Sequence, residues 1–149
     1  MTTGDNLCAD ARVRMACLLG IGEYQWANLL DGDLETRLQM SRAGNYYTMT
    51  KVSNEIVIDL GAEKTFDTYT LVCYAPQANQ IAKTWEILVS SDGGNYTAVD
   101  YQPENTKDTV SVTFDEVTAR YVKIRLFEPD SKKTGITRLA EFMLFDSKK

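Results

Sequence analysis

The sequence predicts an all-β fold, an antiparallel β-sandwich of about eight short strands. Three observations carry that expectation. Apolar and polar residues alternate over stretches of strand length, as in Glu55-Ile56-Val57-Ile58-Asp59-Leu60. No stretch repeats apolar residues at helical spacing for long enough to build a helix face. Turn-forming residues, such as Ser91-Asp92-Gly93-Gly94-Asn95, punctuate the alternating stretches.

Taken in order, Asn6-Leu7-Cys8-Ala9 opens the ordered part and Arg12–Leu19 forms the first strand. Tyr24-Gln25-Trp26 follows, with a short helical turn expected over Trp26–Leu30. Behind that apolar run, Asp31, Asp33 and Glu35 crowd around Gly32, with Thr36 closing the segment. Carboxylates held this close repel one another, and a hard cation such as Ca²⁺, which takes about six to eight oxygens, removes the cost. Taken alone, the Asp-Gly-Asp stretch reads better as a solvated turn, since Asp and Gly dominate turns for conformational reasons. Arg37–Ser53 has no clean period and reads as a long loop, a kind of segment that often carries function.

From Glu55 the pattern sharpens. Glu55–Leu60 is a half-buried strand that stops at Gly61, and Thr68–Tyr74 is a β-branched strand ending before Ala75-Pro76. Trp85, Ile87 and Val89 share one face of the next strand, which makes Trp85 a core residue. Tyr96–Val99 is its return strand after the Asp-Gly-Gly turn. Thr109–Phe114 alternates again. Arg120–Phe127 sets Val122, Ile124 and Leu126 against Tyr121, Lys123 and Arg125 on the opposite face. Leu139–Phe145 is the last strand.

Composition narrows the function classes. With 149 residues, the chain has the size of one domain, 1–149. No apolar run reaches the length of a membrane span, and Met1–Asp10 lacks the basic and apolar segments of a signal peptide. A net charge of −5 argues against nucleic acid and against an anionic membrane as partner. With 0 histidines there is no Ser-His-Asp or Cys-His arrangement and no HExxH zinc site. Glu128 and Asp130 flank Pro129 in a polar stretch and read as solvated acids, so no catalytic residue is assigned. Of the 3 cysteines, Cys8 and Cys17 either bridge or stay reduced, and Cys73 falls in a strand as a small buried hydrophobe.

Several segments, in this order, resemble the discoidin or coagulation factor 5/8 type C superfamily, and within it the bacterial family 32 carbohydrate-binding modules. They are Asn6-Leu7-Cys8-Ala9, Asn28-Leu29-Leu30-Asp31-Gly32-Asp33-Leu34-Glu35-Thr36 and Ile56-Val57-Ile58-Asp59-Leu60-Gly61. Further along come Ile87-Leu88-Val89-Ser90-Ser91-Asp92-Gly93, Ala119-Arg120-Tyr121-Val122-Lys123-Ile124 and Ala140-Glu141-Phe142. The resemblance implies a jelly-roll-like, galactose-binding-domain-like sandwich. It also implies a structural Ca²⁺ held by Asn28, Asp31, Asp33 and Thr36 from the acidic loop, with Ala140 (carbonyl) and Glu141 (carboxylate) from the last strand.

By the same resemblance, a ligand would sit on loops at one end of the sandwich. Where sugar-binding relatives carry a histidine and an arginine, this chain has Gln39 and Gln77 in Thr36-Arg37-Leu38-Gln39 and Tyr74-Ala75-Pro76-Gln77. Asn79 and the aromatics Tyr46, Tyr47 and Phe127 complete the expected binding set. Glutamine both donates and accepts hydrogen bonds, and an aromatic ring stacks on the apolar face of a sugar. The expected function is therefore a non-catalytic carbohydrate-binding module. It would tether a larger, secreted or surface-attached bacterial glycan-active protein, outside the cell, with its export signal elsewhere. The alternative is a discoidin-like domain that binds a protein or lipid surface.

Overall fold

The alternating stretches do become strands, arranged antiparallel throughout. The computed structural model describes residues 6–8, 11–17, 29–30, 38–41, 54–73, 82–129 and 136–148. Among them run β1 (Arg12–Cys17), β2 (Leu38–Ser41), β3 (Asn54–Cys73), β4 (Ala82–Ser90), β5 (Thr97–Gln102), β6 (Thr109–Pro129) and β7 (Ile136–Phe145).

Two pairs of expected strands turn out to be continuous. Glu55–Leu60 and the described part of Thr68–Tyr74, which runs to Cys73, are halves of β3, and Thr109–Phe114 and Arg120–Phe127 are halves of β6. Gly61 was expected to end a strand, yet it bends one. Its φ of 87° is a left-handed conformation that glycine adopts without a steric penalty. Its N–H donates to Asp59 Oδ1 at 2.8 Å. Asp59 pairs with Tyr121 and Lys64 with Ala119, so Leu60 to Glu63 stand against Arg120 alone. Arg120 fills the gap by donating to both Asp59 carboxylate oxygens at 2.9 and 3.1 Å. A second irregularity sets Asp67 against Phe114 to Glu116. Such bulges bend a ladder without ending it.

Because β3 and β6 bend together, their halves serve two facing layers. One layer is β1, the first half of β3, the second half of β6, β4 and β5. The other is β2, β7, the second half of β3 and the first half of β6. Strand β2 lies inside the stretch read as a loop; its four residues are too few to display an alternation.

The core between the layers is mostly apolar. Ile56, Ile58, Trp85, Ile87, Val122 and Ile124 from one layer meet Tyr69, Leu71, Phe142 and Leu144 from the other, all fully buried. One polar chain crosses it. Trp85 Nε1 donates to the Tyr69 hydroxyl oxygen at 3.1 Å, and that hydroxyl donates to Asp100 Oδ2 at 2.5 Å. Gln102 Nε2 donates to the same oxygen at 3.0 Å. Phe142 stacks on Tyr69 with ring centroids 5.8 Å apart. Burial, then the Asp100 acceptor, pushes the Tyr69 phenol far above its ordinary pKa, so it remains a proton donor.

The C-terminal residues are clasped to the second bulge. Ser147 donates its N–H at 2.8 Å and its hydroxyl at 2.5 Å to the nearly buried Asp67. The Ser147 hydroxyl is the largest influence holding the Asp67 carboxyl below its ordinary pKa of 3.8. A depressed carboxyl stabilises the fold above its unfolded pKa, and that contribution is lost as pH falls through the folded one. Ser147→Ala should therefore cost about 1 kcal/mol, or about 3 °C in Tm, near neutral pH. In a pair of thermal melts taken across pH, the gap from wild type should close as pH drops below 3.8. A gap that is constant with pH would mean that Asp67 is not the group concerned.

Candidate functional site

The pairing registers bring the long connections to one end of the sandwich. Ser41 pairs with Ile136 and Cys73 with Leu139, so β2 and β3 end where β7 begins. In the facing layer Ala82 pairs with Pro129 and Asn54 with Leu126, so β4 and β3 begin where β6 ends. Cys17, the last residue of β1, pairs with Glu55 beside them. Hydrogen bonds from the β5–β6 connection show that these two sets of ends are the same end. Cys73 N–H donates to Asp108 O at 2.7 Å, and Asn105 Nδ2 donates to Ala82 O at 2.9 Å. The strand ends that flank 42–53, 74–81 and 130–135, and the described connection 103–108, therefore all lie at this end. The β4–β5 turn, the two bulges and the Ser147 clasp occupy the opposite one.

Two residues of the expected ligand set have a described backbone position. Gln39 lies on β2 opposite Arg138, two residues from the strand's end. Phe127 lies near the end of β6, between Leu126 and the Glu128 that pairs with Thr84. Tyr46, Tyr47, Gln77 and Asn79 fall outside the described residues; the strand ends on either side of their segments lie at this end. The described connection here, residues 103–108, was not singled out in the sequence. Its exposed polar residues Glu104, Thr106, Lys107 and Asp108 stand around a half-buried Asn105. A proline and an asparagine between two alternating stretches were the available signal, and it reads as an ordinary turn.

For the expected cation, Ala140 and Glu141 are the donors that the structure describes. Val72 pairs with Glu141 and Cys73 with Leu139, so Ala140 is the extra residue of a β-bulge. Leu71 and Phe142 face the core, which puts Val72 and Glu141 on the outer face of their layer. Yet Glu141 is only 1 % exposed. A carboxylate out of contact with water is costly unless opposite charge or donors surround it. Cys8 lies close by on the strand's edge, tied down by Leu7 N–H to Leu144 O at 2.8 Å and by Leu144 N–H to Asn6 Oδ1 at 3.2 Å. Burial, and then the charge of Glu141, pushes the Cys8 thiol well above its ordinary range. Cys8 and Cys73 are free thiols, so the bridge to Cys17 does not form.

The Ala140 carbonyl at the bulge and the buried Glu141 carboxylate are hard oxygen donors, the type that Ca²⁺ prefers. Asn28, Asp31, Asp33 and Thr36 fall outside the described residues. Among the described residues no group of ≥ 3 His, Cys, Asp or Glu side chains forms a metal site by itself.

Comparison with known proteins places this geometry. The family model described as F5/8 type C domain matches residues 20–142. Among curated proteins there is no match. Among solved structures, CpGH89CBM32-5 from Clostridium perfringens, in complex with GalNAc-β-1,3-galactose, superposes with a TM-score of 0.72 at 18% identity, covering 95% of this chain and 99% of that one. CBM32-3 from a family 31 glycoside hydrolase of the same organism gives 0.76 at 16% identity, covering 93% and 92%. Chitosan-binding module 1 from a chitosanase/glucanase of Paenibacillus sp. IK-5 gives 0.69 at 22% identity, covering 95% and 99%.

Proposed function

Since the chain belongs to the F5/8 type C domain family, we propose that it is a non-catalytic carbohydrate-binding module whose ligand sits at the end where its long connections meet. The observation that carries the proposal is the convergence of strand ends: the ends that flank four polar or aromatic connections all lie at one end of the sandwich. Solved structures of the same fold include modules described as bound to GalNAc-β-1,3-galactose or as chitosan-binding, which supports a sugar as the ligand class. Gln39 and Gln77 would read hydroxyls, together with Asn79, while Tyr46, Tyr47 and Phe127 offer rings for stacking.

No step of bond making is required of such a domain. Its contribution is effective concentration: weak recognition of a glycan keeps an attached catalytic partner near its substrate. A glycoside hydrolase on an extracellular or cell-surface protein fits that partner. A structural Ca²⁺ held by Asn28, Asp31, Asp33, Thr36, Ala140 and Glu141 would supply positive charge to the acidic loop and pin it to β7.

Isothermal titration of the domain with GalNAc-β-1,3-galactose and with chitosan oligosaccharides, backed by a glycan array, tests this reading. Saturable binding with a Kd of roughly micromolar to millimolar is expected. Silence across the array, together with co-sedimentation on anionic vesicles, would replace sugar with a lipid surface.

A further inference from the structure

The connection between β5 and β6 is braced far beyond what a link between strands requires. Asn105 Nδ2 donates to Ala82 O at 2.9 Å and to Lys107 O at 2.7 Å, while its Oδ1 accepts from Lys107 N–H at 3.1 Å. Thr84 Oγ1 donates to Pro103 O at 2.7 Å, and Cys73 N–H donates to Asp108 O at 2.7 Å. The loop is thus fastened at its start, its middle and its end, and to both layers. The side chains that it presents, Glu104, Thr106 and Lys107, all stay exposed.

We infer that residues 103–108 are a preformed recognition element for the bound glycan, with Thr106 and Lys107 as contact residues and Asn105 as the positioning residue that fixes them. This rests on the reading of the connection-bearing end as a sugar site. A loop that is already ordered loses little conformational freedom on binding, so its hydrogen bonds count towards affinity rather than towards ordering. A hydroxyl and an ammonium within one turn of chain suit a polyol: the ammonium donates to ring or hydroxyl oxygens, and the hydroxyl donates or accepts. Asn105 touches no ligand. It acts through the backbone of Lys107, and through the carbonyl of Ala82 it holds the loop to the root of the connection that bears Gln77 and Asn79.

The test separates contact from positioning. Thr106→Ala/Lys107→Ala removes exposed atoms only, so Tm should stay at the wild-type value while affinity for the best array glycan falls roughly tenfold. Asn105→Asp keeps the size and the Oδ1 acceptor but loses both donations. It should speed amide hydrogen exchange in the peptide spanning 103–108, lower affinity roughly fivefold and leave exchange in β3 and β7 unchanged. Wild type that binds glycans with variants that bind equally well overturns this inference and leaves the proposed function standing. Wild type that binds no glycan overturns both, whatever the exchange data give. Unchanged exchange in Asn105→Asp overturns the positioning role of Asn105.

Discussion

Glu141→Gln is expected to lower the melting temperature by about 10 °C in millimolar calcium, and a strong chelator is expected to lower wild type by a similar amount. The substitution keeps size and one carbonyl-type oxygen and removes only the charge. Its sign is therefore diagnostic. If Glu141 were simply a carboxylate shut away behind β7, neutralising it would relieve a desolvation cost, and the protein would be unchanged or more stable. If it neutralises a divalent ion, its loss weakens binding, and the stability that comes from binding the native state alone goes with it. That stability is about 3 kcal/mol when free calcium stands a hundredfold above its Kd. Asp31→Ala should behave alike, and neither variant should respond further to chelator. A melt indifferent to chelator, with Glu141→Gln no less stable than wild type, returns the acidic loop to an ordinary turn.

Trp85→Ala should be the most damaging single change in the described core, costing about 3–5 kcal/mol and roughly 10 °C or more of Tm. Trp85 is fully buried, and its indole also donates to Tyr69. The milder Tyr69→Phe tests the polar chain alone. It keeps the ring that stacks on Phe142, but takes a donor from Asp100 and an acceptor from Trp85, a loss of about 1–3 kcal/mol. Chemical denaturation with tryptophan fluorescence would measure Tyr69→Phe. Equal stability of Tyr69→Phe and wild type would show that water replaces the hydroxyl at no cost.

The sandwich was legible because its strands have clean faces. Ile56 and Ile58, Trp85 and Ile87, and Val122 and Ile124 alternate with outward residues, and every one of these six is buried. Their outward neighbours Glu55, Glu86, Lys123 and Arg125 form ion pairs with each other. Continuity was harder to read. A glycine after Asp-Leu is the ordinary mark of a strand end, and only the register shows that pairing resumes at Lys64. In β7, Leu139, Ala140, Glu141 and Phe142 are all buried in succession, a pattern that no alternation rule yields without the bulge at Ala140. For the site, sequence resemblance supplied residue types, whereas the convergence of the connections is a property of long-range register. The bracing of Asn105 was invisible for the same reason: its partner Ala82 lies on another strand.

The shared strands have a mechanical consequence. Ladder hydrogen bonds lie across the strands, so a pull along the strand direction must break many of them together, whereas a pull across them opens them one by one. The Ser147 clasp and the connection-bearing end lie at opposite ends of β7 and the second half of β3. Tension between the connection-bearing end and the C-terminal residues would therefore load the β3–β7 ladder in shear. Because β3 and β6 run through both layers, neither sheet can slip past its partner without breaking the ladder that joins them. A chain arranged in this way resists stretching along its strand axis.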